Sequence, residues 1–220
     1  MATNVDGATA SWIGFETLDP VTGAWSIPGS ITLQSADGSV VGEITNLSGA
    51  IDADPSASVT FGVVAGSADT SFTIVSSVVS FAPLTDPVGT AGASVTVTDF
   101  NNSGSASLVG QYPGPFSFEA LYNGANVFTS LDGPATVSSV GGSNTQTGNV
   151  LSTTIPGAVS SIQALFSFTL SAHDLGSGTG TFTVSPSPPV PEPSTLGLLA
   201  IGSVVLLGVA RRRSNKKLSR

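Results

Sequence analysis

The chain has 220 residues, of which 40% are hydrophobic and only 9% charged, with no cysteine and a single histidine. Residues 1–210 hold all 14 acids and none of the six bases, a formal charge of −14, which the basic C-terminus brings to −8. A domain without Lys or Arg has nothing with which to neutralise phosphates, so nucleic acid is excluded as a partner; disulfides, thiolate catalysis and Cys-ligated metals are excluded as well.

Residues 1–19 contain neither a basic n-region nor an apolar core, because Asp6 and Glu16 interrupt the segment. No secretory leader is read there. From Ile31 on, short runs of alternating apolar and small polar residues dominate. Ile31–Gln34 and Val40–Ile44 flank Asp37-Gly38, a hairpin signal. Ser58–Val64, Ser71–Val75 and Ser94–Thr98 are rich in β-branched and aromatic residues. Phe116–Tyr122 and Val127–Leu131 flank a second hairpin signal, Asn123-Gly124, and Asp132-Gly133-Pro134 and Gly141-Gly142 mark further turns. Asn144–Gly157 reads as a loop. In Ile162–Ser171 one face carries Ile162, Ala164, Phe166, Phe168 and Leu170, the pattern of a half-buried strand; Thr181–Val184 repeats it. Roughly ten to twelve short strands at this spacing predict an all-β fold, an antiparallel β-sandwich or jelly-roll-like domain over residues 1–184.

Candidate chemistry in this domain is sparse. His173 is followed by Asp174, but neither a nucleophile motif nor an oxyanion motif accompanies the pair, and a turn histidine is the expectation. Asp99, Asn101 and Ser103, with Gly104 at the sixth position, match the opening of a calcium loop, although Gly110 stands where the bidentate Glu belongs. Asp52 and Asp54 form a second acidic spot. Glu16, Glu43 and Glu119 supply carboxylates without a spacing that selects a catalytic pair for glycoside hydrolysis. Trp12, Trp25, Tyr112 and Tyr122 are the side chains that would stack on sugars if exposed.

Residues 185–193, Ser-Pro-Ser-Pro-Pro-Val-Pro-Glu-Pro, form a Pro-rich linker whose missing N–H donors favour an extended polyproline conformation. Residues 194–210 are 17 uncharged residues, apolar all round a helix and long enough, at about 1.5 Å each, to cross a thin bilayer. Arg211, Arg212 and Arg213 stop the span. With Lys216 and Lys217 they make residues 211–220 a basic cytoplasmic tail and place the preceding domain outside. Translocation of that domain needs a leader, so the expected start lies upstream of Met1.

Pro191-Glu192-Pro193, the apolar span and the triple Arg together resemble the PEP-CTERM sorting signal of Gram-negative bacteria; the likeness covers residues 190–220. It implies recognition and cleavage by an exosortase, loss of the helix, display at the cell surface or outside the cell, and association with exopolysaccharide or biofilm matrix. The expected function is a non-catalytic structural or adhesive one, with a carbohydrate-binding module as the alternative and a secreted hydrolase third; no cofactor is expected beyond a calcium ion at the Asp99 loop.

Overall fold

The computed structural model describes residues 1–14, 18–19, 21–52 and 54–187. A first compact unit runs from Met1 to Ser187 and a second from Pro188 to Arg220. The second unit, with the PEP tripeptide, the predicted span 194–210 and the tail from Arg211, lies outside the described residues, as does the linker from Pro188 on.

The first unit is all-β and antiparallel throughout, with sixteen strands among the described residues: β1 Ala2–Asn4, β2 Thr9–Ala10, β3 Ala24–Ser26, β4 Ile31–Gln34, β5 Val40–Asp52, β6 Ser56–Ala65, β7 Thr70–Val75, β8 Val79–Thr85, β9 Val88–Thr98, β10 Ala106–Gly110, β11 Phe118–Tyr122, β12 Asn126–Leu131, β13 Ala135–Val137, β14 Ser143–Thr154, β15 Ala158–Leu170 and β16 Leu175–Ser185. The first sheet has the order β12-β11-β15-β7-β1-β2, with β8 and β10 also paired to β15 and β13 paired to β10. The second has the order β14-β9-β16-β6-β5-β3, with β4 also on β5. The two sheets pack face to face as a sandwich.

Both predicted hairpins form: Asp37-Gly38 joins β4 to β5 and Asn123-Gly124 joins β11 to β12, with Gly38, Asn123 and Gly124 at positive φ. The segment 144–157, expected to be a loop, is strand β14 as far as Thr154, paired with β9 from Ser143↔Thr98 to Thr154↔Val88, and only 155–157 lie outside it. It has no apolar face to betray it, because it lies at the margin of the sandwich and its residues alternate between exposed and half-buried.

The core is built on a contrast of sizes. Strand β16 reads Leu-Gly-Ser-Gly-Thr-Gly-Thr-Phe-Thr-Val, so its inward positions are Gly176, Gly178 and Gly180 before Phe182 and Val184. These glycines make room for rings from the opposite sheet and from β6. A Cβ on Gly180 would stand 2.5 Å from Phe118 and 2.8 Å from Phe166, and one on Gly178 would stand 2.7 Å from Phe61. Five phenylalanines form a continuous chain across the interface: Phe72, Phe168, Phe61, Phe166 and Phe118, with centroids 5.8, 5.2, 4.8 and 5.0 Å apart in turn. Offset and edge contacts at these distances add about 0.5–1.5 kcal/mol each beyond area burial. Filling the space should be harmful. Gly180→Ala is expected to destabilise by about 1–3 kcal/mol through overpacking, offset in part by about 0.4–1 kcal/mol from a less flexible unfolded chain; the urea midpoint reads the difference.

The outward positions of the second sheet carry hydroxyls instead. Ser48, Thr60, Thr179, Ser94 and Thr147 lie in one cross-strand row over five strands. Thr60 and Thr179 hydroxyls are 3.1 Å apart, and those of Thr96 and Thr145 are 2.8 Å apart. A charge-poor chain thus solvates its sheet with Ser and Thr.

Candidate functional site

Where β7 of the first sheet overlies β3 to β6 of the second, the sandwich does not close. A cleft of about 560 Å³ opens between the sheets. Its floor is apolar, with Leu33, Ile44, Leu47, Val63 and Phe72 from the strands, and the exposed Ser11 and Ser77 supply hydroxyls at its rim. Trp12 and Trp25 line it from opposite sides of the sequence, and both are half-buried. Trp25 is held by a close approach of backbone: it pairs with Gly49 across β3 and β5, and a Cβ on Gly49 would lie 2.9 Å from the indole Nε1. Trp12 folds back over Gly14 in the same way. No carboxylate is among the described lining residues.

The other two aromatic candidates lie elsewhere. Tyr112 forms an isolated bridge with Phe116 in the excursion between β10 and β11, and Tyr122 ends β11 opposite Ile162. Burial, reinforced by the nearby Glu119 charge, pushes the Tyr112 phenol up to about 12. Burial also raises Glu119, against a hydrogen bond donated by the Ser130 hydroxyl. The structure therefore gathers the tryptophans into one cleft and leaves the tyrosines apart.

The Asp99 loop turns its oxygens onto its own backbone. Oδ1 of Asp99 accepts from the Ser103 amide at 3.0 Å and the Ser103 hydroxyl at 3.3 Å, while Oδ2 accepts from Gly104 N–H at 2.8 Å and Gly141 N–H at 3.0 Å. Asn101 Oδ1 likewise accepts from Ser103 N–H. Burial alone would raise the Asp99 carboxyl, but the donors outweigh it and hold it below the usual range. Among the described residues no three His, Asp or Glu side chains converge as a metal site. Loss of the carboxylate strands the Gly104 and Gly141 amides, so Asp99→Ala should lower the urea midpoint whether or not calcium is present. Calcium chloride that stabilised the wild type but not the variant would instead mark the loop as a metal site.

His173 is exposed at φ 60°, in the turn from β15 to β16, and its N–H donates to Gly66 O. Asp174 points the other way. It is buried, and it accepts from the Ser171 hydroxyl and, at 3.3 Å, from Phe100 N–H. The pair is divided between a wet turn and a structural anchor. Asp52 and Asp54 sit at the tip of the β5–β6 hairpin, where Asp52 Oδ1 accepts from Asp54 N–H.

One buried acid was hidden in a turn signal. Asp132, at φ 63° just after β12, is 4% exposed, and neither carboxylate oxygen has a hydrogen-bond partner. Its carbonyl accepts from the amide and hydroxyl of Ser117, which pins the backbone, while the carboxylate lies over Gly148 of β14. Burial lifts its pKa to about 7.

The decisive match is at the other end of the chain. Residues 189–214 are a PEP-CTERM protein-sorting motif. The match contains Pro191, Glu192, Pro193, the apolar span and Arg211 to Arg213. A PEP-CTERM signal indicates an exported protein whose membrane-associated sorting depends on an exosortase. No curated protein matches the chain. Solved structures resemble it only distantly. The enzymatically active domain of bacteriophage CBA120 tailspike protein 4 has 12% identity and a TM-score of 0.33, over 77% of this chain and 20% of its own. The CBM22-1 xylan-binding domain of Paenibacillus barcinonensis Xyn10C has 10% identity and a TM-score of 0.31, over 86% and 95%. TmCBM61, solved with beta-1,4-galactotriose, has 12% identity and a TM-score of 0.28, over 74% and 87%.

Proposed function

We propose that this chain is a non-catalytic cell-surface or extracellular-matrix protein, a β-sandwich delivered outside the cytoplasm and then released from its C-terminal anchor by an exosortase. The observation that carries this reading is the PEP-CTERM motif at 189–214, which begins two residues after the compact unit ends at Ser187. A stiff proline-rich backbone without N–H donors at its prolines stays extended, a form that a protease groove can grip. The test is the intact mass of the protein from membrane and extracellular fractions of a native host. A species ending near Pro191 and lacking the span supports release. A chain that keeps Leu196 to Arg220 and stays in the membrane fraction overturns it.

The cleft favours a second reading, recognition of neutral polysaccharide. Two half-exposed indoles in a cleft with no carboxylate among its described lining residues are surfaces on which sugar rings stack, and hydroxyls at the rim can hydrogen-bond them. Trp12 and Trp25 are the chain's two tryptophans, so its indole emission reports on this cleft alone. Titration with soluble neutral glycans should shift that emission, and Trp12→Ala should abolish the response. Unchanged emission over a panel of such glycans removes this reading and leaves the first intact.

A further inference from the structure

The margins of the two sheets are treated unequally. Free strand edges expose unpaired N–H and C=O groups, and proteins commonly blunt them with short strands, charges or proline. Six of the edge strands follow this rule. β2, β3, β4, β8, β12 and β13 are none of them longer than seven residues, β8 contains Pro83, and Asp6, Asp19, Asp37 and Asp86 stand in the turns beside β2, β3, β4 and β8. β14 follows none of it. It is 12 residues long, pairs among the described residues only with β9, and contains neither proline nor charge. From Gly133 to Ala172 the sequence has no ionisable residue at all. Ser143–Val150 pairs with β9 without a break before the register shift at Val150, so its free edge is straight over that stretch. Among the described residues no backbone hydrogen bond leaves β14 on the side away from β9.

We propose that β14 is a docking edge for a second copy of this chain. Two β14 edges would pair antiparallel about a two-fold axis, joining the seven-stranded sheets of two domains into one continuous sheet. The charge distribution selects the occupant. Residues 1–187 hold 13 acids and no base, so like copies repel wherever acids face each other, whereas β14 itself carries no acid and Asp132 beside its Gly148 is buried. An antiparallel two-fold also gives each edge a complementary pattern of donors and acceptors without any new side-chain chemistry.

Sedimentation velocity of the full chain in detergent micelles tests this, over micromolar to submillimolar protein. Particles should hold two chains. Thr145→Glu combined with Thr147→Glu changes exposed side chains on β14 and places like charges across the seam; it should raise the dissociation constant at least about tenfold while the far-ultraviolet strand signal is unchanged. Thr179→Glu with Thr181→Glu puts the same charges on β16, in the middle of the same face, and should leave the dimer intact. One chain per particle for the wild type at the highest concentration overturns the proposal. So does a dimer that survives the β14 charges, or one that the β16 charges abolish.

Discussion

Phe166→Ala should lower the free energy of unfolding by about 3–5 kcal/mol, among the largest costs of any single truncation in this domain. The ring is fully buried, contacts Phe61 at 4.8 Å edge-on and Phe118 at 5.0 Å, and fills the space left by Gly180. Its removal opens a void bounded on one side by a residue with no side chain. The neighbouring glycine cannot move in to close it, so little of the cavity term is recovered by collapse. Phe128→Ala is the comparison. Phe128 also meets a phenylalanine, stacked on Phe182 at 5.0 Å, but it is only half-buried, and water can fill part of what it leaves. Urea midpoints at constant slope should rank Phe166→Ala well below Phe128→Ala and both below wild type. Equal midpoints would mean that the chain of rings is not the joint between the sheets.

The sequence made the interior strands visible and the margins invisible. Ile162 to Leu170 alternates cleanly because one face meets the core, and Asp37-Gly38 and Asn123-Gly124 name their own turns. β14 has the same backbone and half a core at best. Its polar inward residues, Asn144 and Gln146, erase the alternation on which strand recognition depends, although the Thr residues at 145 and 147 have ordinary strand propensity. The glycines of β16 were legible as residues but not as partners, since nothing local says that Gly178 and Gly180 face Phe61, Phe118 and Phe166 from distant strands. The same holds for the aromatics. Trp12 and Trp25 converge because β3 pairs with the far end of β5, while Tyr112 and Tyr122 are carried to other parts of the first sheet. Asp132 shows the limit most sharply. Asp-Gly-Pro announces a turn, the turn is there, and its burial follows only from β12 and β14 closing over it.

Asp132 should make the domain progressively less stable as pH rises from about 4 to about 8. With a folded pKa of about 7 against an ordinary value of 3.8, the native state holds a proton through that window that the unfolded chain has released. Stability from the neutral form is therefore fully present below about pH 4 and lost as pH passes 7. A shift of this size corresponds to at most about 4 kcal/mol, and relaxation that lets water reach the carboxylate reduces it to about 2 kcal/mol. The cause is structural: both oxygens lack donors, and residues 1–210 contain no Lys or Arg that could pair with the charge. Asp37 and Asp99 act with the opposite sign. Hydrogen bonds from Ser35 and Ser39 hold Asp37 down to about 2, and the amides around Asp99 hold it low too. Their contributions are present above about pH 4 and fade in stronger acid. The two limbs together place maximum stability in mildly acidic solution. Asp132→Asn separates them, because Asn tolerates the left-handed backbone at this position and carries no charge. The variant should match wild type near pH 4, exceed it at pH 8 by about 2 kcal/mol or more, and have a flat profile between. Urea unfolding at both pH values measures it. Parallel profiles for variant and wild type would show that the carboxylate is solvated in the native state.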